Sequence, residues 1–443
     1  MWKLPEGAEF VLNRLHEAGY QAYVVGGCVR DTLLGREPKD WDVCTNALPH
    51  QMQAVFADCH VIETGLKHGT LTVMHHHEPY EVTTFRVDGE YTDHRHPDEV
   101  IFVADVKEDL SRRDFTVNAM AWSPVGGLVD AFGGQADLAA GIIRCVGDPY
   151  KRFDEDALRI MRALRFASVY GFAIDAKTDA AIHALRHTLA EVAGERIRVE
   201  MAKLLCGQAA GRILRDYRDV IFAVMPQLAP MDGFDQCSPH HAYNVWEHSV
   251  RAVEAAPPTE IYRLTLLLHD CGKPACFFLD EQGVGHMWGH QAAGAEIARE
   301  VLAALKPDNH TRDRVITLVA NHTYKFKRDR RAMLRLLSRF GPEVAHQLLV
   351  VHHADESGKG IRAQHVIDAE LEALTAVLDE VLAEGLCYNV KDMAVNGRDL
   401  MALGLKGKQV GECLEHLLSL LLAEEIPNER EALLEAARLH IGQ

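Results

Sequence analysis

Residues 24–45 read VVGGCVRDTLLGREPKDWDVCT, and this stretch decides the fold. Its order is strand, turn, helix, strand. Tyr23, Val24 and Val25 form a short β-prone run, and Gly26 and Gly27 let the backbone turn sharply and approach a ligand with no Cβ in the way. The segment Val29–Leu34 has helical character and closes at Gly35, so the amides at its start face the same space as the glycines and suit phosphate oxygens. Arg30 lies one turn on. Asp40 and Asp42 flank Trp41 and run into Val43. On an extended strand residues two apart share a face, which sets the two carboxylates side by side. Such oxygens suit magnesium, which binds one or two carboxylates together with substrate phosphates and keeps several waters. A lone Gly-Gly is an ordinary turn and a lone Asp-x-Asp an ordinary strand end. In this order, with an arginine between them, they read as a nucleotide site.

The rest of the chain gives this site its setting. A length of 443 residues with 48% hydrophobic and 25% charged composition allows about two to four domains with real cores. The longest apolar runs, such as Leu264–Leu268 and Leu417–Leu422, are far too short to span a bilayer, and the amino terminus lacks a basic region followed by an apolar signal core, so a cytoplasmic protein is expected. Ten cysteines with no C-x-x-C pair fit reduced thiols better than a disulfide framework or a zinc ribbon. The formal net charge of −17 argues against a polyanionic partner taken alone. Basic residues are nonetheless clustered, at 144–165, at 196–218 and at 325–339, which leaves room for a local cationic surface; each cluster by itself reads equally well as a solvated helix face.

Taken in order, Pro5–Gly19 is an amphipathic helix, Gln51–Phe56 a helix and Cys59–Glu63 a strand. Leu71–Met74 and Tyr80–Arg86 form a hairpin broken at His75, His76, His77 and Pro79. Adjacent histidines on a strand point to opposite faces, so they are read as a turn and not as a metal site. Glu81 is a candidate third carboxylate beside Asp40 and Asp42. Residues 87–97, VDGEYTDHRHP, lack any apolar period and are expected to form a mobile loop. Ser111–Ala119, SRRDFTVNA, is expected to begin a helix that carries Arg112, Arg113, Asp114 and Asn118. Guanidinium forks suit phosphate, and Asp and Asn suit ribose hydroxyls. Ile142–Val146 is read as the last strand of a small mixed sheet, and from Phe153 onward the pattern is helical. Asp156, Arg159, Arg162 and Arg165 recur every three residues on the first of these helices; ion pairs on a surface helix would have the same spacing.

GGCVRD, LLGR and DWD, followed by SRRDFTVNA, resemble the nucleotidyltransferase signature of the class II CCA-adding enzymes and their poly(A) polymerase relatives. The resemblance implies an α/β nucleotidyltransferase head of the polymerase β type with a mixed sheet, followed by a mostly α-helical body. In that reading Asp40, Asp42 and Glu81 are catalytic, and Asp40 and Asp42 hold Mg2+. Gly27, Arg30, Arg112 and Arg113 bind the triphosphate, Asp156 and Arg159 match the templating motif that selects CTP and then ATP, and Arg162 and Arg165 lie nearer the phosphates. The acceptor is the 3′ end of tRNA. Nearby alternatives are a poly(A) polymerase or an enzyme that adds only CC or only A.

A second constellation lies at His248, then His269-Asp270 in HDCGKP, then Asp355, with His286, His290 and His322 between. Imidazole and carboxylate ligands suit a divalent metal. The order resembles the HD phosphohydrolase superfamily, which implies an HD-type helical domain, a second divalent cation such as Mn2+, Ni2+ or Fe2+, and phosphohydrolase chemistry on substrates such as 2′,3′-cyclic nucleotides. His290 and His322 either complete a two-metal site or are surface histidines. The expected domains are a head at 1–147, a helical neck with the templating motif at 148–230, an HD-type domain at 231–365 and a helical tRNA-binding tail at 366–443.

Overall fold

The computed structural model describes residues 2–89 and 100–442. The chain divides into two compact units, Met1–Pro226 and Gln227–Gln443.

The first unit is built on a seven-stranded mixed sheet. Its strands are β1 (Ala22–Val25), β2 (Val43–Thr45), β3 (His60–Ile62), β4 (Thr70–His75), β5 (Glu78–Thr84), β8 (Met120–Ser123) and β9 (Gly127–Asp130), in the order β3-β4-β5-β2-β1-β8-β9. Strands β6 (Arg86–Asp88) and β7 (Val100–Phe102) pair with each other outside it, and of the expected loop at 87–97 residues 90–97 lie outside the described residues. Only β2 and β5 run parallel; every other neighbouring pair is antiparallel. Val24, Val43, Val73 and Val82 are buried in the sheet. The residues that satisfy the expected period of two are thus central, as β-branched side chains prefer. Gly26 ends β1 with φ +81°, a conformation that side chains rarely adopt, and its amide is held by the carbonyl of Met120 at 3.1 Å. The helix Gly27–Leu33 starts at once from that turn.

Three expectations need correction. Ile142–Ile143 does not join the mixed sheet; it pairs in parallel with Ala173–Ile174 as a separate ribbon. Asp40 and Asp42 precede β2 in an irregular segment instead of lying on it. SRRDFTVNA does not open a helix: the helix Val106–Ser111 ends there, and Thr116–Asn118 is a single 3-10 turn.

The helical part of this unit includes Pro149–Glu155, Leu158–Tyr170 and Gly194–Leu205. Asp156 breaks the first from the second, with φ −145° and ψ 102°, and its carboxylate accepts from the amide of Leu158 at 3.1 Å. A short polar side chain that bonds its own backbone competes with helix continuation, so the expected unbroken helix is two.

The second unit is helical. Val245–Ala255, Glu260–Leu268, His290–Leu305, Asn309–Asn321 and Arg330–Lys359, the last of these being two helices joined across a kink at Gly341, surround a core that includes Leu266, Leu267, Leu318 and Leu348. Gly358 sits where a Cβ would meet the carbonyl of His248 at 2.9 Å, and Gly272 where a Cβ would meet that of His290 at 2.2 Å. These two contacts let the segments approach closely enough to bring distant polar side chains together. Gln364–Ala383 follows, then a small cluster in which Val395, Leu400, Leu417 and Leu433 are buried.

Candidate functional sites

The glycine turn opens onto a cavity of about 470 Å³ lined by Gly26, Gly27, Arg30, Asp42, Asp114, Asn118, Asp156 and Phe166, together with Arg112, Arg113, Arg159, Arg162, Arg165 and Arg196. All the expected nucleotide-binding residues therefore converge on one hollow. Seven arginines face three aspartates there, an arrangement that favours a polyanion.

Asp42 forms one wall. Desolvation raises its pKa above the usual carboxylate range, and Glu81 and Asp40 push it further while Arg113 opposes them. Asp42 thus feels both carboxylates expected to act with it. Among the described residues their oxygens are not gathered within 4.8 Å, as the ligand atoms of the histidine cluster below are.

The arginines differ in how they are held. Arg30 is nearly buried; it spends its fork on Asp31 and Asn118 and stacks on Tyr170, with its guanidinium carbon 4.8 Å from the ring centroid. Arg112 is tied to Asp109 at 2.9 Å. Arg113 reaches the same carboxylate at 3.4 Å, but its Nε is buried without a hydrogen-bond partner. Arg159 bonds Glu155 at 2.7 Å and Asp156 bonds Arg196 at 3.1 Å, and both expected templating residues line the same cavity. Arg162 pairs with Asp114, and Arg165 with Glu200 while lying 3.8 Å over Phe166. Burial works against the charge of Asp114, yet Arg162, the amide of Asn118 and Arg159 hold its pKa down to about 2.

Sequence reasoning missed Phe166 and Glu200, which lie one residue after Arg165 and four residues after Arg196 and carry no motif of their own. It also gave Arg196 to a basic surface, whereas the side chain turns into the cavity toward Asp156.

In the second unit His248, His269, Asp270 and Asp355 come together, all buried, with their ligand atoms within 4.8 Å of one another. His248 Nε2 lies 3.1 Å from Asp270 Oδ2 and 3.0 Å from Asp355 Oδ1, and His269 Nε2 lies 3.1 Å from Asp270 Oδ2. His269 donates through Nδ1 to the carbonyl of Leu266 at 2.8 Å, which aims Nε2 inward. Burial lowers the His269 pKa, but Asp270 and Asp355 outweigh it and raise the value to about 9. The two carboxylates therefore favour positive charge at this point, and the donor set is one that could hold a divalent cation.

His290 and His322 are not surface residues. Each Nδ1 faces a backbone carbonyl at 2.7 Å, of Met287 and Val319, and each Nε2 lies 3.5 Å from the other oxygen of Asp270. Their Nε2 atoms are 3.2 Å apart. Two imidazoles so held present lone pairs to each other. Asp270 thus stands between two donor groups. His286 is elsewhere, bonded to Asp280 at 2.7 Å. At the other end of the chain His76 and His77 form the expected turn, with φ +48° and +69°, and the turn lays the His76 ring edge-on to His75 at 4.2 Å, near Glu6.

Comparison with known proteins places this geometry. Residues 22–144 match the poly A polymerase head domain, 171–230 the probable RNA and SrmB-binding site of polymerase A, and 290–437 the putative domain 2 of tRNA nucleotidyltransferase. A CCA-adding enzyme of Lactiplantibacillus plantarum is 33% identical over 445 residues, with 98% of this chain and 96% of that protein covered.

The chain belongs to the CCA-adding enzyme family.

The CCA-adding enzyme of Levilactobacillus brevis is 34% identical with 98% of both chains covered. That of Leuconostoc mesenteroides is 47% identical over 220 residues, a match that spans 49% of this chain and about half, 54%, of that protein. The crystal structure of the Bacillus stearothermophilus CCA-adding enzyme in complex with CTP superposes with a TM-score of 0.71, at 29% identity, and the match covers 100% of both chains. The polymerase β-like head with a mixed sheet and a helical body is therefore the family's architecture. The protein is a nucleotidyltransferase, a class that depends on a divalent cation. Among the described residues no helix is long and apolar enough to cross a membrane.

Proposed function

We propose that this protein adds CCA to the 3′ end of tRNA, without a nucleic-acid template, from CTP and ATP and with release of pyrophosphate. The observation that carries the reading is the arginine-lined hollow bounded by the glycine turn and Asp42. Asp40 and Asp42, with Glu81 beside them, would hold Mg2+. When bound, the ion lowers the pKa of the terminal hydroxyl and neutralises the triphosphate. Gly27, Arg30, Arg112 and Arg113 position that triphosphate, and Arg162 and Arg165 extend the cationic wall. The tRNA 3′-hydroxyl attacks the α-phosphorus, a new P–O bond forms, and the bond to pyrophosphate breaks. Asp156 offers acceptors and Arg159 donors to the edge of the base; each now rests on a protein partner, Arg196 and Glu155, that a base edge replaces. The four-part division at 147, 230 and 365 follows from this reading, as does a cytoplasmic location beside its tRNA substrate. Incubation with tRNA lacking its 3′ end and each labelled nucleotide is the test. Incorporation of CTP twice and then ATP supports it; ATP runs, CC alone or A alone point to the poly(A) polymerase or partial enzymes.

A second activity is favoured by the His248, His269, Asp270 and Asp355 cluster. We propose that this HD-type centre binds a divalent cation such as Mn2+, Ni2+ or Fe2+, with His290 and His322 offering a second position across Asp270. A cation there polarises a phosphoryl oxygen. In hydrolysis of a 2′,3′-cyclic nucleotide, water adds to phosphorus, one ring P–O bond breaks, and the freed ribose hydroxyl takes the proton. Loss of cyclic-nucleotide hydrolysis in His269→Asn, with metal content falling, supports this reading; no turnover with any of the three cations defeats it.

A further inference from the structure

We infer that Trp288 is a base-stacking platform that makes the HD-type centre selective for nucleoside phosphates over other phosphate esters. The inference rests on the metal-centre reading above and adds its substrate class.

Trp288 is 76% exposed, the most exposed of the described large aromatic side chains. Its neighbours touch it obliquely. Phe278 packs against it at 4.8 Å with the rings 73° apart, and His286 lies 5.5 Å away at 45°. Edge contacts of this kind fix an indole while leaving its face open, and an open face is what a flat base covers.

The loop that carries Trp288 is anchored to the centre at both ends. On the carboxyl side, the carbonyl of Met287 holds His290 Nδ1 at 2.7 Å, and His290 Nε2 faces Asp270. On the amino side, the amide of Gly285 donates to the carbonyl of Cys237 at 2.8 Å, and the preceding side chain, Gln236, accepts from Lys273 at 2.8 Å. Lys273 in turn pairs with Asp270 at 2.5 Å. Trp288 and His290 are two residues apart, so their Cα atoms lie within about 7 Å. A ligand with its phosphate at the Asp270 centre and its base on Trp288 would therefore be held by two points of one anchored loop. A phosphate ester without a base would leave the indole bare.

The test uses the full chain loaded with Mn2+ and two five-membered cyclic esters: 2′,3′-cyclic AMP, and glycerol 1,2-cyclic phosphate, which has no base. Trp288→Ala should raise KM for cyclic AMP by about tenfold with kcat retained, and leave the glycerol ester unchanged. Trp288→Phe should restore most of the difference. Independently, cyclic AMP should quench the indole fluorescence that Trp288→Phe removes, with or without metal. An unchanged KM, or an equal rise on both esters, overturns the platform. Quenching without hydrolysis of either ester overturns the metal-centre reading and keeps the platform; absence of both overturns the two together.

Discussion

Arg162 and Asp114, 48 residues apart in sequence, form a two-point ion pair, Nε at 2.8 Å and Nη2 at 2.6 Å from the same carboxylate oxygen. It joins the segment after β7 to the helix Leu158–Tyr170 on the wall of the nucleotide cavity. Because Asp114 is 7% exposed, removing Arg162 takes the nearest counter-charge from a buried carboxylate and leaves it to Asn118 and Arg159.

Arg162→Ala should therefore destabilise the protein by about 3 kcal/mol, more than Arg162 lost from an exposed pair would. Chemical denaturation monitored by circular dichroism measures it. Asp114 also sets a pH dependence. Its folded pKa, about 2, lies below the ordinary value of 3.8, so its contribution is full above pH 4 and is lost as pH falls toward 2. Stability curves of wild type and Asp114→Asn should converge over that window.

Asp42→Ala and Asp40→Ala should each lower nucleotide incorporation by about a hundredfold or more, while tRNA binding, read by filter retention, stays within about twofold. Normal turnover by either variant would count against the metal assignment.

Asp156→Asn exchanges one acceptor for a donor at the hinge between two helices. Base choice should degrade before rate does: misincorporation of UTP or GTP should rise about tenfold, the worth of one hydrogen bond to a charged group. Arg196→Ala frees Asp156 and should shift selectivity in milder form. Sequencing of extended tRNA ends reads both.

Gly26→Ala places a Cβ at φ +81° and 2.9 Å from the Arg113 guanidinium. A loss of roughly 1 to 3 kcal/mol in stability is expected, with KM for CTP raised because Arg113 is displaced. Gly19→Ala, also at positive φ but in open space, is the matched control and should cost stability without touching KM.

Local order was legible where neighbours in sequence are neighbours in space. The run from Val24 through the Gly26 turn into the helix that follows needed only β-propensity and glycine's freedom, and HDCGKP declared His269 and Asp270 together. What escaped depends on long-range pairing. Nothing in the text of residues 111–119 says that Asp114 will be claimed by Arg162, or that Asn118 will hold Arg30. Asp156 was misplaced on a helix because apolar periodicity runs through it, whereas its own carboxylate caps the next turn. Asp40 and Asp42 lie off the strand that was to align them, which starts one residue later.

The pairing of cavity arginines with carboxylates has a selective consequence. An entering anion does not meet bare cations; it must displace Glu155, Asp156 or Asp109 from guanidiniums they already satisfy, and those carboxylates must be rehydrated or rehoused. Ligands poor in charge lose that competition. On the nucleotidyl-transfer reading, that competition would favour triphosphates over mono- and diphosphates at the same hollow.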